Sequence, residues 1–398
     1  LSQLALNAER GEETVTWATR ALELAEKLGE TAVTVHSLNN IGTMQLLSGN
    51  PEGAEQLQRS LALAEQAGLE EHVGRAFIHF GWTMTRTRAY ELAPWLDRGI
   101  ESCAERGLEA WGLYVIAYRA RYKLDHSLWD DAADDAAFVL RSAQSDPLVR
   151  VLALTVLGLI RARRGDPEQW VPLDEAVALA QGQDELQFTA PIAAARAEAA
   201  WLDRREPTVV EEATRSALEV AGENRASWVI GELAWLRRIA GVRETVQGSV
   251  EPYALQLTGR GAAAAERWNQ LGCRYDAALA LVEAADDDEL RHALDEFQLL
   301  GARAAAGIVA RRLRERGVRG LPRGPRPETT TNLARLTRRE SAVLALVSEG
   351  LPNAEIANRL FLSEKTVHHH VSAILRKLEV NSRGQATAAA VRLGLVSK

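Results

Sequence analysis

Within Glu364–Leu378, Lys365, His368, His369 and Ser372 recur at intervals of three and four residues. They fall on the side of a helix opposite Val367, Val371, Ile374 and Leu378, whose spacing of i, i+4, i+7 and i+11 makes one continuous apolar stripe. Burying that stripe leaves a polar, basic face in water near the helix N-terminus. A helix so displayed, joined to a preceding helix by a short turn, has the geometry that reads base edges in the major groove, and its first N–H groups are open to phosphate. Three adjacent histidines, His368, His369 and His370, do not make a metal site, because neighbours on a helix point about 100° apart. His370 falls where it can pack against the helical scaffold. Other chemistries lack their residues. The sequence has no G-x-x-x-x-G-K-[ST], no Gly-Lys pair, and no H-E-x-x-H, C-x-x-C or G-x-S-x-G. The run Asp286-Asp287-Asp288-Glu289 precedes an apolar-periodic helix, where acids complement the helix dipole. No catalytic residue, cofactor or metal ion is expected.

Four short helices must position that basic face. Thr337 and Glu340 form a capping box, so the first helix starts at Arg338 and stops at Gly350 in a left-handed cap. The second runs from about Ala354 to Phe361 behind Asn353 as its cap, with Ile356, Ala357 and Leu360 buried. Ser363 caps the third, and Ser382 with Gln385 opens the fourth, which ends near Gly394.

Composition separates this tail from the rest. Residues 333–398 hold 10 Lys and Arg against 5 Asp and Glu, whereas the preceding residues hold 37 against 49 and all ten tryptophans. A basic tail on an acidic body suggests nucleic acid as partner of the tail. Between them, Gly317–Asn332 (GVRGLPRGPRPETTTN) loses apolar periodicity, and residues 318–332 read as a flexible linker. The only cysteines, Cys103 and Cys273, indicate no disulfide framework and fit a reducing cytoplasm. No apolar run of membrane-spanning length and no signal peptide occurs, and a start at Leu1 inside a helical pattern suggests a fragment of a longer protein.

The body, residues 1–317, reads as all-α. Gly29, Gly68 and Gly107 lie 39 residues apart, as do Leu22, Leu61, Ile100 and Val139, and Ala25, Ala64, Cys103 and Ser142. Such a period is one helical hairpin stacked on the next, a solenoid. Breakers at Gly49-Asn50-Pro51, Gly165-Asp166-Pro167 and Arg205-Glu206-Pro207 separate the helices, and Ala54 and Ala64 let a hairpin close tightly. The segment from Leu38-Asn39-Asn40-Ile41-Gly42 to Leu61 resembles a tetratricopeptide repeat. From about Gly231 to Gly317 the pattern stays helical but loses the register. Trp82, Trp95, Trp111 and Trp129 either line a concave groove for an effector or partner, or pack between hairpins.

Residues Leu336–Arg383 (LTRRESAVLALVSEGLPNAEIANRLFLSEKTVHHHVSAILRKLEVNSR) closely resemble the LuxR-type helix-turn-helix domain. Matching positions include Leu336, Thr337, Arg339, Glu340, Gly350, Ile356, Ala357, Thr366, Val367, Lys377, Leu378, Val380 and Arg383. The resemblance implies that Lys365, His368, His369 and Ser372 face the groove of double-stranded DNA and that Thr366, Arg376 and Arg383 meet phosphates. For Arg376 and Arg383 a solvated face or a local ion pair is the alternative. His368 stands where the family usually has Lys, which puts the operator sequence in question, and Pro352 replaces a common Ser. Dimerisation on DNA through Val391 and Leu393 of the fourth helix is also implied. Helical repeats ahead of such a domain resemble the large ATP-dependent regulators of the MalT type, whose ATPase domain precedes the repeats. The chain is therefore expected to be a cytoplasmic, non-enzymatic transcription regulator, with an interaction scaffold or the regulatory fragment of an ATP-dependent regulator as alternatives.

Overall fold

The computed structural model describes residues 1–321, 336, 338–360, 362–378 and 380–392. Among these residues all regular structure is helical, as the sequence patterns require. The chain forms two compact units, Leu1–Glu296 with Arg303–Gly317, and Phe297–Ala302 with Val318–Lys398. Most of the expected linker, residues 322–332, lies outside the described residues. Among the described residues no helix is long and apolar enough to cross a membrane.

The first unit opens with α1 (Ser2–Asn7), α2 (Gly11–Leu28), α3 (Thr31–Leu47), α4 (Gly53–Ala67), α5 (Glu70–Thr87), α6 (Pro94–Glu105) and α7 (Glu109–Asp125). It continues through α8 (Trp129–Arg141), α9 (Pro147–Arg164), α10 (Trp170–Leu179), α11 (Leu186–Leu202), α12 (Pro207–Glu223) and α13 (Ser227–Ile239). The odd helices from α3 to α13 pack each on the next, and α5 also meets α13, so this row curls into an inner layer. The even helices α4, α8 and α12 each fill the space between two inner neighbours. Burial follows the layering: α3 buries Val35, Leu38, Asn39, Asn40 and six further residues besides Thr34, whereas α2 buries only Thr14, Ala18 and Ala25.

The 39-residue period has a local cause. Gly29 and Gly68 end α2 and α4 in the left-handed region, at φ 72° and 64°, and Gly107 follows α6 at φ 68°. A glycine takes this conformation without Cβ strain and so ends each outer helix at the same place in the repeat. The closest helix approach lies one residue from the expected Ala54. A Cβ on Gly53 would stand 2.3 Å from the Gly42 carbonyl oxygen, and one on Gly42 would stand 2.6 Å from that of Gly53. Ala54 itself is half-buried, while Ala64 is fully enclosed.

The register is lost after α13 because the chain stops extending the stack. It turns back through α14 (Tyr253–Leu257), α15 (Gly261–Gln270), α16 (Arg274–Ala280), α17 (Asp287–Leu300) and α18 (Arg303–Glu315). Here α16 packs on α7, and α18 on α9 and α11. A buried trio joins three of these helices. Arg163 on α9 grips Glu198 on α11 through two bonds of 2.8 and 2.9 Å, and Tyr275 on α16 donates to Glu198 at 2.7 Å. The acidic run is a cap: Asp286 Oδ1 accepts from the amides of Asp288 and Glu289, at 2.7 and 3.1 Å.

The tryptophans divide. Trp95 stacks on Phe80 at 4.5 Å, Trp111 covers Gly74, and Trp129 meets Tyr275 edge-on at 5.8 Å, so all three pack between helices. Trp82 alone of the four lines an internal chamber of the inner layer.

Candidate nucleic-acid interface

The tail folds into α19 (Arg338–Ser348), α20 (Asn353–Leu360), α21 (Glu364–Lys377) and α22 (Arg383–Arg392). Their apolar stripes converge on one core of Leu336, Val343, Leu344, Val347, Ile356, Ala357, Val367, Val371, Ile374, Ala386 and Ala390, with Leu360 and Leu378 partly buried against it. The stripe read from α21 is therefore the face that holds the domain together, and its orientation fixes what the opposite face can do.

The caps set where each helix begins. Gly350, at φ 85°, follows α19 in the left-handed conformation expected of it. Thr337, half of the expected capping box, lies outside the described residues, and its partner Glu340 is buried and accepts from Lys377 Nζ at 2.6 Å. The expected cap of α20 is corrected. Asn353 is the first helical residue and its Oδ1 accepts from Arg383 Nη1 at 2.8 Å. Pro352 occupies the cap position, and its carbonyl accepts from the amides of Glu355 and Ile356, both at 3.1 Å. Proline suits a helix start because it has no N–H to leave unpaired. Ser363 caps α21, its Oγ accepting from Thr366 N at 3.1 Å. At α22, Ser382 Oγ accepts from Gln385 N at 3.3 Å, while Gln385 Oε1 reaches Asn381 N at 2.9 Å, a capping box shifted by one residue.

The geometry gathers five of the seven candidate residues. Lys365, His368, His369, Ser372 and Arg376 are all exposed, at i, i+3, i+4, i+7 and i+11 along α21. That spacing is one straight stripe more than two turns long, opposite Val367, Val371 and Ile374. The rings of His368 and His369 stand 6.4 Å apart, edge to face. His370 is half-buried at the border of the stripe. Thr366 is half-buried and its Oγ1 lies 2.7 Å from Ser363 Oγ, so its hydroxyl belongs to the cap of α21.

Arg383 stands apart from the stripe. Its Nη1 donates to Asn353 Oδ1 at 2.8 Å and its Nη2 to the Leu351 carbonyl at 2.6 Å. Two arms of the guanidinium thus tie the start of α22 to the start of α20. Sequence reasoning missed two further fasteners. Lys377 pins the last turn of α21 to Glu340 on α19, and Arg339 Nη2 donates to the Leu360 carbonyl at 2.9 Å, closing α19 against the end of α20. Both pairs join residues 21 or more positions apart, and no local spacing signals them. On α22, Val391 is 37% exposed, a large apolar side chain without cover within the described residues, whereas Leu393 lies outside them.

The family model described as "Bacterial regulatory proteins, luxR family" matches residues 334–390. A Mycobacterium tuberculosis protein named "Putative HTH-type transcriptional regulator" is 25% identical over 387 residues, covering 94% of this chain and 41% of its own length. The DNA-binding transcriptional activator DevR/DosR of the same organism is 42% identical over 95 residues, 24% of this chain and 39% of the relative. The transcriptional regulatory protein LiaR of Bacillus subtilis is 41% identical over 92 residues, 23% of this chain and 39% of the relative. The chain thus spans about two fifths of the length of these curated relatives. No solved structure matches the chain.

Proposed function

We propose, from the premise that the tail of this chain is a LuxR-type helix-turn-helix domain, that the chain acts as a sequence-specific DNA-binding transcription regulator whose helical repeats take in a signal or partner. The observation that carries this reading is the exposed stripe of Lys365, His368, His369, Ser372 and Arg376 on α21, backed by the core that fixes its direction. In the major groove, Lys365 and the two histidines offer donors to base edges, Ser372 offers a hydroxyl, and Arg376 reaches a phosphate. Thr366 acts through the cap, keeping the first turn of α21 formed. Arg383 acts as a positioning residue that sets α22 and α20 relative to each other. The exposed Val391 suits self-association of the domain on DNA. Regulation of transcription in the cytoplasm, without catalysis, is the role that fits these parts.

The test is selection of bound sequences from random double-stranded DNA by the chain, followed by titration of the enriched site. Recovery of one motif, with log K falling linearly in log salt, supports the reading. Absence of enrichment, with no affinity above that for random DNA, turns the chain into an interaction scaffold.

A further inference from the structure

The inner layer of the repeats encloses a chamber with a cavity of about 50 Å³. Five consecutive inner helices build it: Trp82, Arg86 and Arg88 come from α5 or its end, Tyr118 and Arg121 from α7, Leu152 and Val156 from α9, Pro191 from α11, and Glu232 from α13. No local motif produces this wall. It exists because the row curls until α13 returns to α5.

Two donors in this wall have no acceptor. Arg86 Nη1 and Trp82 Nε1 are buried and without a hydrogen-bond partner. The side chain of Arg86 is 9% exposed and Trp82 is 3% exposed. Leaving a buried donor without an acceptor is costly, more so when it is charged, so two of them beside one cavity call for an explanation. The other cations of the wall are already satisfied. Arg88 donates to Glu232 at 3.2 Å and to the Thr85 carbonyl, and Arg121 reaches Asp125 at 2.9 Å and Glu232 at 3.3 Å. Arg86 has one acid partner, Glu9, at 2.8 Å. Burial pushes the Glu9 carboxyl up, against the pull of Arg86, so that acid is a reluctant counter-ion.

The rest of the lining is mostly apolar, with Leu152, Val156, Ala190, Pro191 and Val229 interrupted by Thr155 and Gln187. Arg86 also lines a second, wider groove of about 1040 Å³ between residues 9–16, 44–50 and 223–228. Across this groove Asn224 Nδ2 donates to the Ala8 carbonyl at 2.8 Å and Arg225 pairs with Glu12 at 4.0 Å.

We infer that this chamber binds a compact aliphatic monocarboxylate, its carboxylate oxygens accepting from Arg86 and Trp82 and its short chain lying on the Leu152–Val156 wall. The size follows from the cavity: at roughly 10–15 Å³ of accessible space per water, it holds about four non-hydrogen atoms with little rearrangement. The charge follows from the lining, where Arg86, Arg88 and Arg121 stand with a single acid, Glu232, while Glu9 and Asp125 pair with Arg86 and Arg121 from beyond it. With Arg88 and Arg121 already paired, the open donor of Arg86 can take one monoanion, whereas a dianion would be desolvated without compensation. The inference names a ligand class for the sensing role given to the repeats above. Its test is binding alone, which succeeds or fails whether or not the tail binds DNA.

The experiment is calorimetric titration of the 398-residue chain with acetate, butyrate, acetamide and inorganic phosphate at fixed ionic strength and pH. Acetate, with four non-hydrogen atoms, is expected to saturate one site, with the larger butyrate weaker, and with acetamide and phosphate at least tenfold weaker. Trp82→Phe keeps the ring and removes the N–H, and is expected to weaken acetate at least tenfold with the melting temperature kept. Arg86→Gln should abolish binding. Saturation by neither acid would mean that water alone fills the chamber and overturns the inference. Equal binding of acetamide, or full affinity in a folded Trp82→Phe, would overturn it as well.

Discussion

Arg383→Ala separates two roles that a basic residue can play in a DNA-binding domain. In the family pattern this arginine is a phosphate contact, and loss of one such contact lowers the slope of log K against log salt by about 0.9. The structure gives it two partners inside the domain. Its bonds to the Leu351 carbonyl at 2.6 Å and to Asn353 Oδ1 at 2.8 Å are both short and charge-assisted. Hydrogen bonds to charged groups contribute about 1.5–3 kcal/mol each when buried. Arg383 is only half-buried, so screening reduces the pair to about 2 kcal/mol in total. That loss corresponds to roughly 30-fold faster opening of the domain at equilibrium. The readout is hydrogen exchange in the intact chain, followed at the Ile356 amide, whose bond to the Pro352 carbonyl at 3.1 Å lies beside the arginine's anchor. Tryptophan fluorescence does not serve, since all ten tryptophans precede residue 333. The expected result is exchange about 30-fold faster with the salt slope unchanged. Arg376→Ala, on the exposed stripe, is expected to give the converse: unchanged exchange and a slope lower by about 0.9. A slope that drops for Arg383→Ala while exchange stays as in the wild type refutes the positioning role.

Limited proteolysis is expected to cut first within residues 318–332 and to leave two folded pieces, because the sequence there is rich in Gly, Pro, Arg and Thr and lacks apolar periodicity; a first cut among the repeats would move the boundary. Gly53→Ala places a Cβ 2.3 Å from the Gly42 carbonyl oxygen, so α3 and α4 must separate, and urea denaturation followed by circular dichroism should show a loss of about 1–3 kcal/mol or more; no loss would mean that the hairpin can relax freely. Acid should weaken the repeats through His79, whose imidazole, buried on α5 and 2.8 Å from Thr43 Oγ1, is pushed down to about 3 by burial and by Arg75. The unfolded chain takes up this proton near pH 6.5 and the folded one only near 3, so the contribution is complete above about 6.5 and is lost as pH falls towards 3, by at most about 4–5 kcal/mol. Thermal unfolding across that range should be flatter in His79→Gln, and an unchanged pH profile would remove His79 from the account.

What the sequence disclosed and what it hid divide by distance along the chain. The tail was legible almost residue by residue because its signals are local. Val367, Val371 and Ile374 repeat at helical spacing, Ser363 stands where a cap is needed, and Gly350 takes the left-handed turn. A local misreading, Asn353 as a cap, arose because its side chain is claimed by Arg383 from 30 residues away. The repeats were legible for the same reason over α2 to α7, where Gly29, Gly68 and Gly107 end successive outer helices. Past α13 the helices stay amphipathic and α13 to α16 still pack on their sequence neighbours, but α16 and α18 also turn back onto α7, α9 and α11, so the period dissolves while the helical pattern survives.

The same distinction explains why the stripe on α21 was foreseen and the chamber was not. A recognition face is the complement of a buried stripe on one helix, and both are written within four turns of sequence. The chamber joins residues from Trp82 to Glu232, and no residue in it is unusual in its own helix. Trp82 reads as one more core aromatic, and Arg86 as a basic residue in the last turn of α5, where the helix dipole favours it. Only the closure of α5 on α13 puts both among the helices of a common cavity, and only then do their missing acceptors become a property of one place. The composition of the wall decides which partner fits. An apolar side of Leu152, Val156 and Val229 excludes a fully hydrated ion, and a buried guanidinium with a reluctant carboxylate beside it disfavours a cation. A small acid with a short chain meets both constraints. Closing on it would add contacts between α5, α9 and α13, the helices on which the curl of the inner layer depends.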